Sequence, residues 1–470
     1  MTNALLPIAL ITLLFSCQKN QDGHPGGDKL IEFWITTGDQ SSMFQKSSEP
    51  LRFVNESSEL PMIEIDTTQR FQSIDGFGYT LTGGSAYLLH EKLATATRNE
   101  LLNELFSTDN EGIGVSYLRI SIGASDLDDH VFSYIDLPPG DKDPTLSKFS
   151  LAEDRKHLIP VIKEILLINP EVKIIGSPWS APAWMKTNNS PKAGNLKKEF
   201  YRAYANYLVK YVQEMAKEGI AIEAITIQNE PENPHNNPSM VMTATEQAEF
   251  IKDYLGPAFV QNAIKTKIVI FDHNCDHPEY PIAILDDPQA KKYIDGTAFH
   301  LYLGEITALS EVQKAHPDKN IYFTEQWTSS EGKFDGDLRW HVKNLIVGAT
   351  RNWSRTVLEW NLAADPRQNP HTDDGGCTQC LGALTIGDRI HRNVAYYVIA
   401  HASKFVRPGS VRIASTISDG LPNVAFNTPG GNRVLIVLND TESTNKFEIK
   451  FDSRYATVSL LPGSVGTFVW

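Results

Sequence analysis

The sequence is poor in cysteine, with only 4 in 470 residues. A disulfide framework therefore cannot organise the chain, and the packing of a hydrophobic core has to hold it together. Long apolar runs are also missing, because no stretch reaches the ~20 apolar residues that a membrane-spanning helix needs. These two absences exclude a small disulfide-built scaffold and a many-pass membrane protein.

Positive charge is the third shortage. Lysine and arginine number 43 against 57 aspartates and glutamates, which leaves a net charge of −14. A field of this sign repels phosphate backbones, so we expect no nucleic-acid partner. The remaining composition, 41% hydrophobic and 21% charged residues, is typical of a globular protein of one to three domains.

Residues 1–17 predict a lipoprotein signal peptide. The apolar run at residues 5–15 has the length of the core of an export signal rather than of a membrane span. It leads into LFSC, which resembles a bacterial lipobox whose cysteine, here Cys17, is acylated. Residues 18–30 are polar and glycine-rich and predict a flexible tether. We expect an exported protein anchored to a bacterial outer membrane, on the periplasmic face or at the cell surface. The alternative is a buried strand with a chance cysteine.

The pattern of apolar residues divides the rest of the chain into three zones. Residues 31–70 and 396–470 carry the alternation of β-strands, and because two strands alone would be marginal, we expect both zones to form one β-sandwich. In residues 71–395, short β-branched runs alternate with helical patterns. Eight strands are predicted there, at 74–77, 117–120, 173–176, 224–227, 267–270, 297–300, 321–323 and 356–358.

Eight strand–helix units predict an α/β fold, a (β/α)8 TIM barrel with an appended all-β sandwich. A doubly wound sheet is the alternative, but no glycine-rich phosphate turn opens a helix after the first strand. In a barrel, the chemistry belongs at the carboxyl ends of the strands.

Two glutamates occupy such strand ends. The fourth predicted strand leads into Glu230 and the seventh into Glu325, and these strands lie on roughly opposite sides of a barrel mouth. A pair of carboxyl groups flanking a bond is what glycoside hydrolysis requires, one as acid and one as nucleophile. The alternative for each residue is an ordinary ion pair. We expect Glu232, two residues further on, to be a peripheral or loop-structural carboxylate.

The same rim is rich in aromatic residues. Four of the 8 tryptophans follow predicted barrel strands, namely Trp179, Trp184, Trp327 and Trp360. Sugar rings pack their C–H faces on aromatic planes, and polar side chains bind their hydroxyls. A single tryptophan would more often belong to the core, but a group at one end of a barrel indicates a carbohydrate cleft.

Several motifs together resemble glycoside hydrolase family 30, which includes lysosomal glucosylceramidase and microbial β-1,6-glucanases. They are FQSIDGFG at 71–78, SPWSAPAWMKTN at 177–188, NEP at 229–231, FTE at 323–325, WNLA at 360–363 and SKF at 403–405. The resemblance implies a barrel fused to a sandwich built from both chain ends, and a retaining double displacement that needs no metal or cofactor.

The resemblance also assigns roles to single residues. It makes Glu230 the general acid/base and Glu325 the nucleophile, and it lets Asn229 bind the sugar 2-hydroxyl. Arg119 would lie beside the nucleophile and keep it ionised. Further residues match the lining of the sugar site: Trp179, His300, Tyr302 and Trp360.

Two departures bear on the substrate. Gly83 stands where we align an aspartate of glucosylceramidase that grips glucose, and loop 365–382 lacks an obvious counterpart of that enzyme's asparagine. We therefore expect a monomeric β-1,6-glucanase acting on a β-glucan polysaccharide or oligosaccharide. Alternatives are an exo-acting β-glucosidase or glucosylceramidase, a xylan hydrolase, and a non-catalytic glycan-binding lipoprotein.

The same loop contains Cys377 and Cys380 as a CxxC pair. In an exported protein a local disulfide is favoured over two free thiols, whereas Cys275 has no sequence partner. The loop also carries His371, Asp373 and Asp374, for which a solvated polar surface is favoured over a metal cluster.

Overall fold

The computed structural model describes Met1, residues 30–109 and residues 112–470. Apart from Met1, the predicted signal peptide, including Cys17, and the tether as far as residue 29 lie outside the described residues. Within the described part of the chain, no helix combines the length and the apolar character needed to cross a membrane.

Four strands precede the barrel. They are β1 (Leu30–Thr36), β2 (Gln45–Lys46), β3 (Leu51–Arg52) and β4 (Met62–Ser73). Both β2 and β3 pair antiparallel with β1.

The next strands form a closed, all-parallel barrel. They are β5 (Gly76–Thr80), β6 (Tyr117–Ser121), β7 (Lys173–Ser177), β8 (Ala224–Thr226), β9 (Lys267–Cys275), β10 (Ile294–Gly304), β11 (Asn320–Glu325) and, after the short β12 (Thr328–Ser329), β13 (Ser354–Asn361). The predicted (β/α)8 barrel is confirmed. Its first strand starts at Gly76 rather than Ile74, whose backbone N–H donates instead to the carbonyl oxygen of Ser410.

Helices surround the barrel. They are α1 (Gly83–Tyr87), α2 (Thr95–Phe106), α3 (Leu158–Ile168), α4 (Tyr201–Lys217), α5 (Ala244–Phe250), α6 (Gly256–Gln261), α7 (Glu279–Leu285), α8 (Pro288–Lys291), α9 (Ala308–Ala315), α10 (Phe334–His341) and α11 (Val394–Ser403). Leu88–Lys92, Ile251–Leu255 and Val342–Ala349 are π-helical, and Ala183–Met185 and Lys198–Phe200 are 3₁₀ turns. The helix α11 crosses the domain boundary expected after residue 395, and it packs on the barrel, since the Tyr79 hydroxyl donates to the Ala395 carbonyl oxygen.

The loop after β13 is anchored by short strands. They are β14 (Ala363–Ala364), β15 (Cys380–Leu381), β16 (Leu384–Ile386) and β17 (Ile390–Arg392). β15 pairs with β12, and β16 pairs with β14 and β17. This pairing holds the loop at the carboxyl end of the barrel.

The sandwich uses both ends of the described chain. Its late strands are β18 (Val411–Ser415), β19 (Asn423–Asn427), β20 (Arg433–Leu438), β21 (Asn445–Phe451), β22 (Arg454–Leu460) and β23 (Val465–Val469). β1 pairs antiparallel with β23, and the long β4 lies between β18 and β21. A separate apolar cluster, which includes Ile63, Leu435 and Phe468, fills its interior.

Candidate active site

A cavity of about 570 Å³ opens at the carboxyl ends of the barrel strands. Both predicted carboxylates reach it, and so do residues from several βα loops. The residues that bear on its chemistry are Asp126, Trp179, Glu230, Glu232, Asn236, His273, His277, Tyr302, Leu303, Glu325, Trp327, Trp360, Cys377 and Cys380.

Glu325 is the last residue of β11, and hydrogen-bond donors hold both of its oxygens. Arg119 Nη1 donates to Oε2, and the Tyr302 hydroxyl donates to Oε1 at 2.9 Å. Donors to both oxygens fix the orientation of the carboxyl group. Burial raises the pKa of Glu325, and the positive charges of His300 and Arg119 oppose that rise. Glu325 is therefore an oriented, buried carboxylate, as a nucleophile has to be.

Glu230 follows β8 and is held by a different set of partners. The amides of Asn233 and Asn236 donate to its Oε2 at 2.7 and 3.1 Å. Its φ is +45°, in the left-handed region that a residue with a side chain rarely occupies. The Glu230 N–H donates to the Asp272 carbonyl oxygen at 3.0 Å, so contacts with β9 maintain this strained turn.

The two glutamates lie close together. One carboxylate oxygen of each lies within 4.8 Å of the other. Retaining glycosidases place the two carboxyl groups ~5–5.5 Å apart, whereas inverting enzymes separate them by ~6.5–9.5 Å to admit a water molecule. The spacing here fits retention.

Asp272 in β9 connects the network, although the sequence analysis missed it. Its Oδ2 accepts from Arg119 at 2.8 Å, and its Oδ1 accepts from Thr324 at 2.7 Å. Burial opposes ionisation, but the Arg119 charge and the His300 hydrogen bond hold the pKa of Asp272 well below its ordinary value. The same rule of a carboxylate at a barrel-strand end could have identified it.

His300 in β10 bridges two carboxylates. Its Nδ1 lies 3.2 Å from Glu230 Oε1, and its Nε2 lies 3.1 Å from Asp272 Oδ1. Burial alone would lower the pKa of His300, but the Glu325 charge and these two hydrogen bonds raise it to about 9. Burial raises the pKa of Glu230, and the bond with His300 outweighs this and lowers it to about 2. At neutral pH the substrate-free site therefore keeps a proton on His300, next to Glu230.

Arg119 and Asn229 lie beneath the cavity. Arg119 in β6 is 0% exposed, and its Nη2 donates to Asn229 Oδ1 at 2.6 Å. Its guanidinium carbon lies 4.7 Å from the centre of the Trp179 ring. A buried cation thus joins the nucleophile, the amide and the aromatic wall.

Three of the four rim tryptophans line the cavity. Trp179 and Trp360 stack with ring centres 5.3 Å apart, and Trp327 packs beside them. Trp184 lies elsewhere, because its indole N–H donates to the Ile135 carbonyl oxygen and its ring packs on Phe200. The prediction of an aromatic rim therefore holds for three tryptophans and is wrong for Trp184.

Cys377 and Cys380 form a disulfide that lines the cavity. Cys380 packs with Trp179 and Trp360. Elsewhere in this loop, His371 Nδ1 lies 3.1 Å from the Thr372 carbonyl oxygen, and Asp374 pairs with Lys192 at 3.1 Å. The disulfide thus shapes the cleft, while these polar neighbours make local contacts.

Asp126, in the loop after β6, is the other carboxylate that the sequence analysis missed. It is buried, and burial together with the charges of Glu325 and Glu230 holds its pKa well above the ordinary value. Gly83 supplies no side chain to the cavity, and a side chain there would collide with Asp128, whereas Asp126 lines the cavity. The position of Asp126 in the loop after the second barrel strand was a signal in the sequence.

Glu232 pairs with histidines in and after β9, which fits a loop-structural role, and it also reaches the cavity. Its Oε2 lies 2.9 Å from His277 Nδ1 and 3.8 Å from His273 Nδ1. His273 Nδ1 is buried and has no hydrogen-bond partner. This side of the cleft thus offers polar groups to a bound sugar.

Glu230, His300 and Glu325 also present one ligand atom each within 4.8 Å, a spacing that could hold a metal ion. The same three groups are engaged by Asn233, Asp272 and Tyr302. Their hydrogen bonds suit proton transfer and nucleophilic attack.

Comparisons with known proteins agree on one family. The glycosyl hydrolase family 30 TIM-barrel domain matches residues 74–406, and the β-sandwich domain of that family matches residues 409–468. An endo-1,6-β-D-glucanase of Neurospora crassa is 34% identical over 424 residues, which cover 86% of this chain and 85% of that protein. The lysosomal acid glucosylceramidase of Mus musculus is 28% identical over 439 residues, 87% of this chain and 83% of that protein.

The fold of a solved relative is also close. The structure of the endo-β1,6-glucanase BT3312 matches with a TM-score of 0.87 and 33% identity, covering 95% of this chain and 99% of that one.

Proposed function

This chain belongs to glycoside hydrolase family 30 and is a glycosidase, and from that premise we propose that it is a retaining, endo-acting β-1,6-glucanase. The observation that carries the mechanism is the approach of Glu230 and Glu325 to within 4.8 Å. The choice of linkage is supported by the glucanases of 33–34% identity.

In the first step, Glu325 attacks the anomeric carbon of the sugar. The new bond from the carboxylate oxygen forms as the glycosidic C–O bond breaks, and the bond electrons pass to the leaving oxygen. Arg119 and Tyr302 hold the attacking carboxylate before the reaction. The product is a covalent glycosyl ester of Glu325.

Glu230 supplies the proton that the leaving oxygen needs. We propose that this proton comes from His300 Nδ1, which lies 3.2 Å from Glu230 Oε1. In the second step, Glu230 takes a proton from water while that water attacks the anomeric carbon and displaces Glu325. Glu230 then returns this proton to His300 Nδ1, so the site regains its starting protonation and the product keeps the configuration of the substrate.

The aromatic wall and the polar rim suit a neutral polysaccharide. Trp327, which is partly exposed, offers an apolar face backed by the buried Trp179 and Trp360, and Asp126 is placed to accept hydrogen bonds from hydroxyls. Asp126 also favours the second candidate, an exo-acting glucosidase or glucosylceramidase, because a carboxylate can grip a terminal sugar. The curated glucosylceramidase relative agrees with that alternative.

The catalytic roles are tested by substitution. Glu325→Gln should reduce turnover at least about 10³-fold, since the amide cannot form the ester. Glu230→Ala should lose activity that azide restores as a β-glycosyl azide. Glu311→Gln, an exposed residue of α9, should retain the parent rate. Near-parent activity in the Glu325 variant would refute the assignment.

The substrate is tested by the sizes of the products. β-1,6-glucan, β-1,3-glucan, xylan and glucosylceramide are each incubated with the enzyme, and the products are followed over time. We expect rapid turnover of β-1,6-glucan with early oligosaccharides of mixed length. Glucose as the first product, or preferential cleavage of glucosylceramide, would favour the exo-acting alternative.

We also propose that the enzyme is an exported monomer with a lipid at Cys17. The support is the apolar run followed by LFSC in the sequence. Full-length protein expressed in a Gram-negative host should fractionate with membranes and incorporate labelled fatty acid, whereas Cys17→Ala should be soluble and unlabelled. Equal membrane recovery of both would contradict the anchor, and light scattering of the soluble variant reports the oligomeric state.

A further inference from the structure

A second group of metal-binding side chains lies outside the cavity. His90 and Glu91 belong to the π-helical turn Leu88–Lys92, and His157 immediately precedes α3. His90 and His157 are 67 positions apart in the sequence, yet their Nδ1 atoms lie 3.1 Å apart. Within the described part of the chain, this is one of two such groups whose ligand atoms all lie within 4.8 Å. The other is the catalytic one.

The distances in this group match the coordination of a small cation. Glu91 Oε1 lies 3.7 Å from His90 Nδ1 and 3.6 Å from His157 Nδ1. Together with the 3.1 Å between the two nitrogens, these distances form a triangle, and its centre lies about 2.0 Å from each of the three atoms. This is the usual length of Zn–N and Zn–O bonds.

The surroundings hold two of the ligands in place. Arg98 donates to the His90 carbonyl oxygen at 3.1 Å and pairs with Glu164 of α3 at 2.7 Å. The Tyr87 ring packs edge-on against His157 with ring centres 5.3 Å apart. The Glu91 side chain is 51% exposed and can adjust to an ion. Two histidines positioned by these contacts, together with one adjustable carboxylate, are suited to binding a metal ion from solution.

We propose that His90, Glu91 and His157 bind one divalent transition-metal ion of the zinc class, with water as the fourth ligand. Two imidazole nitrogens and one carboxylate favour Zn²⁺ over Mg²⁺ or Ca²⁺, which prefer oxygen ligands. The ion clips the turn after the first βα unit to the start of α3. It thereby links the two ends of the long segment that carries Asp126 into the cleft. This role does not depend on which sugar the enzyme cleaves.

The test uses the full chain after treatment with EDTA and dialysis. Zn²⁺ is titrated by calorimetry, and Co²⁺ is titrated while the visible absorption of a tetrahedral complex is recorded. We expect one ion per chain and a rise in Tm of about 2–5 °C at saturating Zn²⁺, because the ion binds the folded chain preferentially. His90→Asn and His157→Asn should each weaken binding at least tenfold and abolish the Co²⁺ spectrum.

Two matched controls separate this site from others. His130→Asn changes a neighbouring histidine that faces Asp129 and Glu153, and it should leave the affinity unchanged. Glu325→Gln disables the catalytic group and should also retain the Co²⁺ spectrum. Unchanged binding in the His90 and His157 variants would overturn the proposal and indicate an adventitious ion only. Loss of binding in Glu325→Gln would also overturn it, because the ion would then be held by the catalytic group.

A measurement on the parent chain guards against variants that do not fold. X-ray absorption of the Co²⁺-loaded enzyme should report two imidazole ligands and oxygen ligands in tetrahedral geometry. Coordination by oxygen alone would refute the site. Turnover of β-1,6-glucan by the EDTA-treated enzyme is recorded in parallel, so that failure of the metal proposal and failure of the proposed function remain distinguishable.

Discussion

At the scale of single residues, the site is a charge network around one shared proton. Arg119 pairs with both Asp272 and Glu325, but its single positive charge cannot neutralise both. The pKa of Asp272 is held well below its ordinary value, whereas burial raises the pKa of Glu325 against the opposing charges of His300 and Arg119. In the proposed mechanism, protonated His300 shares the proton on its Nδ1 with Glu230, while its Nε2 faces Asp272. In this proposed relay Glu230 gains its proton from His300, so Glu230 need not have a high pKa before the substrate binds.

This arrangement predicts the alkaline side of the pH profile. The pKa of His300 is raised to about 9, so the shared proton is present below that pH and is lost as pH rises through it. Activity should fall there. In His300→Gln, Glu230 alone must retain the proton, and the alkaline limb of kcat/KM should move down by at least about two pH units.

Tyr302→Phe serves as the comparison for His300→Gln. It removes the donor to Glu325 Oε1, so it should lower kcat while leaving the alkaline limb in place. An alkaline limb that does not move in His300→Gln would contradict the shared proton.

At the scale of elements, the proposed reacting groups lie in barrel strands or in the turns that follow them, and a loop shapes the cleft. Glu325 ends β11 and His300 lies in β10, whereas Cys377 and Cys380 belong to the loop after β13. Strands of a closed barrel are rigid, but a loop depends on its own links. Here these links are the pairing of β12 with β15 and the disulfide.

Removing the disulfide should therefore affect substrate binding more than chemistry. In Cys377→Ser/Cys380→Ser, we expect KM for β-1,6-glucan oligosaccharides to rise about three- to tenfold and kcat to change less than about twofold. Reduction of the parent enzyme should produce the same shift and should have no effect on the double variant. An unchanged KM in both experiments would show that the disulfide does not shape the cleft.

At the scale of the whole molecule, α11 ties the barrel to the sandwich. Its His401 is fully buried, with Nδ1 2.8 Å from the Thr467 hydroxyl and Nε2 2.9 Å from the Thr36 hydroxyl. These threonines belong to β23 and β1, from opposite ends of the chain. A histidine in the barrel's last helix thus joins the two ends of the sandwich.

The same histidine predicts a loss of stability in acid. Burial lowers the pKa of His401 to about 3, against ~6.5 in the unfolded chain, so unfolding takes up a proton between these values. Its contribution is complete above pH ~6.5 and falls by about 1.4 kcal/mol per pH unit below it.

The measurement is urea unfolding near pH 7 and near pH 5. His401→Gln should be less stable near pH 7, yet it should lose less stability on acidification than the parent does. His391→Gln, an exposed residue of β17, should follow the parent. Equal acid sensitivity of His401→Gln and the parent would contradict this role.

Much of the fold and the centre of the site follow from local sequence patterns. The eight β-branched runs identify the barrel, and the rule that chemistry lies at strand ends identifies Glu230 and Glu325. These features are local, because alternation and strand ends can be recognised within a few residues. The same rule could have found Asp126 and Asp272.

Only the tertiary structure decides which partners these residues have. The bridge from Glu230 through His300 to Asp272 depends on the registers of three barrel strands. Trp184 turns into the core while Trp179 faces the cleft, although both belong to one motif. His90 meets His157 across 67 positions. Such contacts join segments that are distant in sequence, and their geometry is set by packing of the whole barrel rather than by local preference.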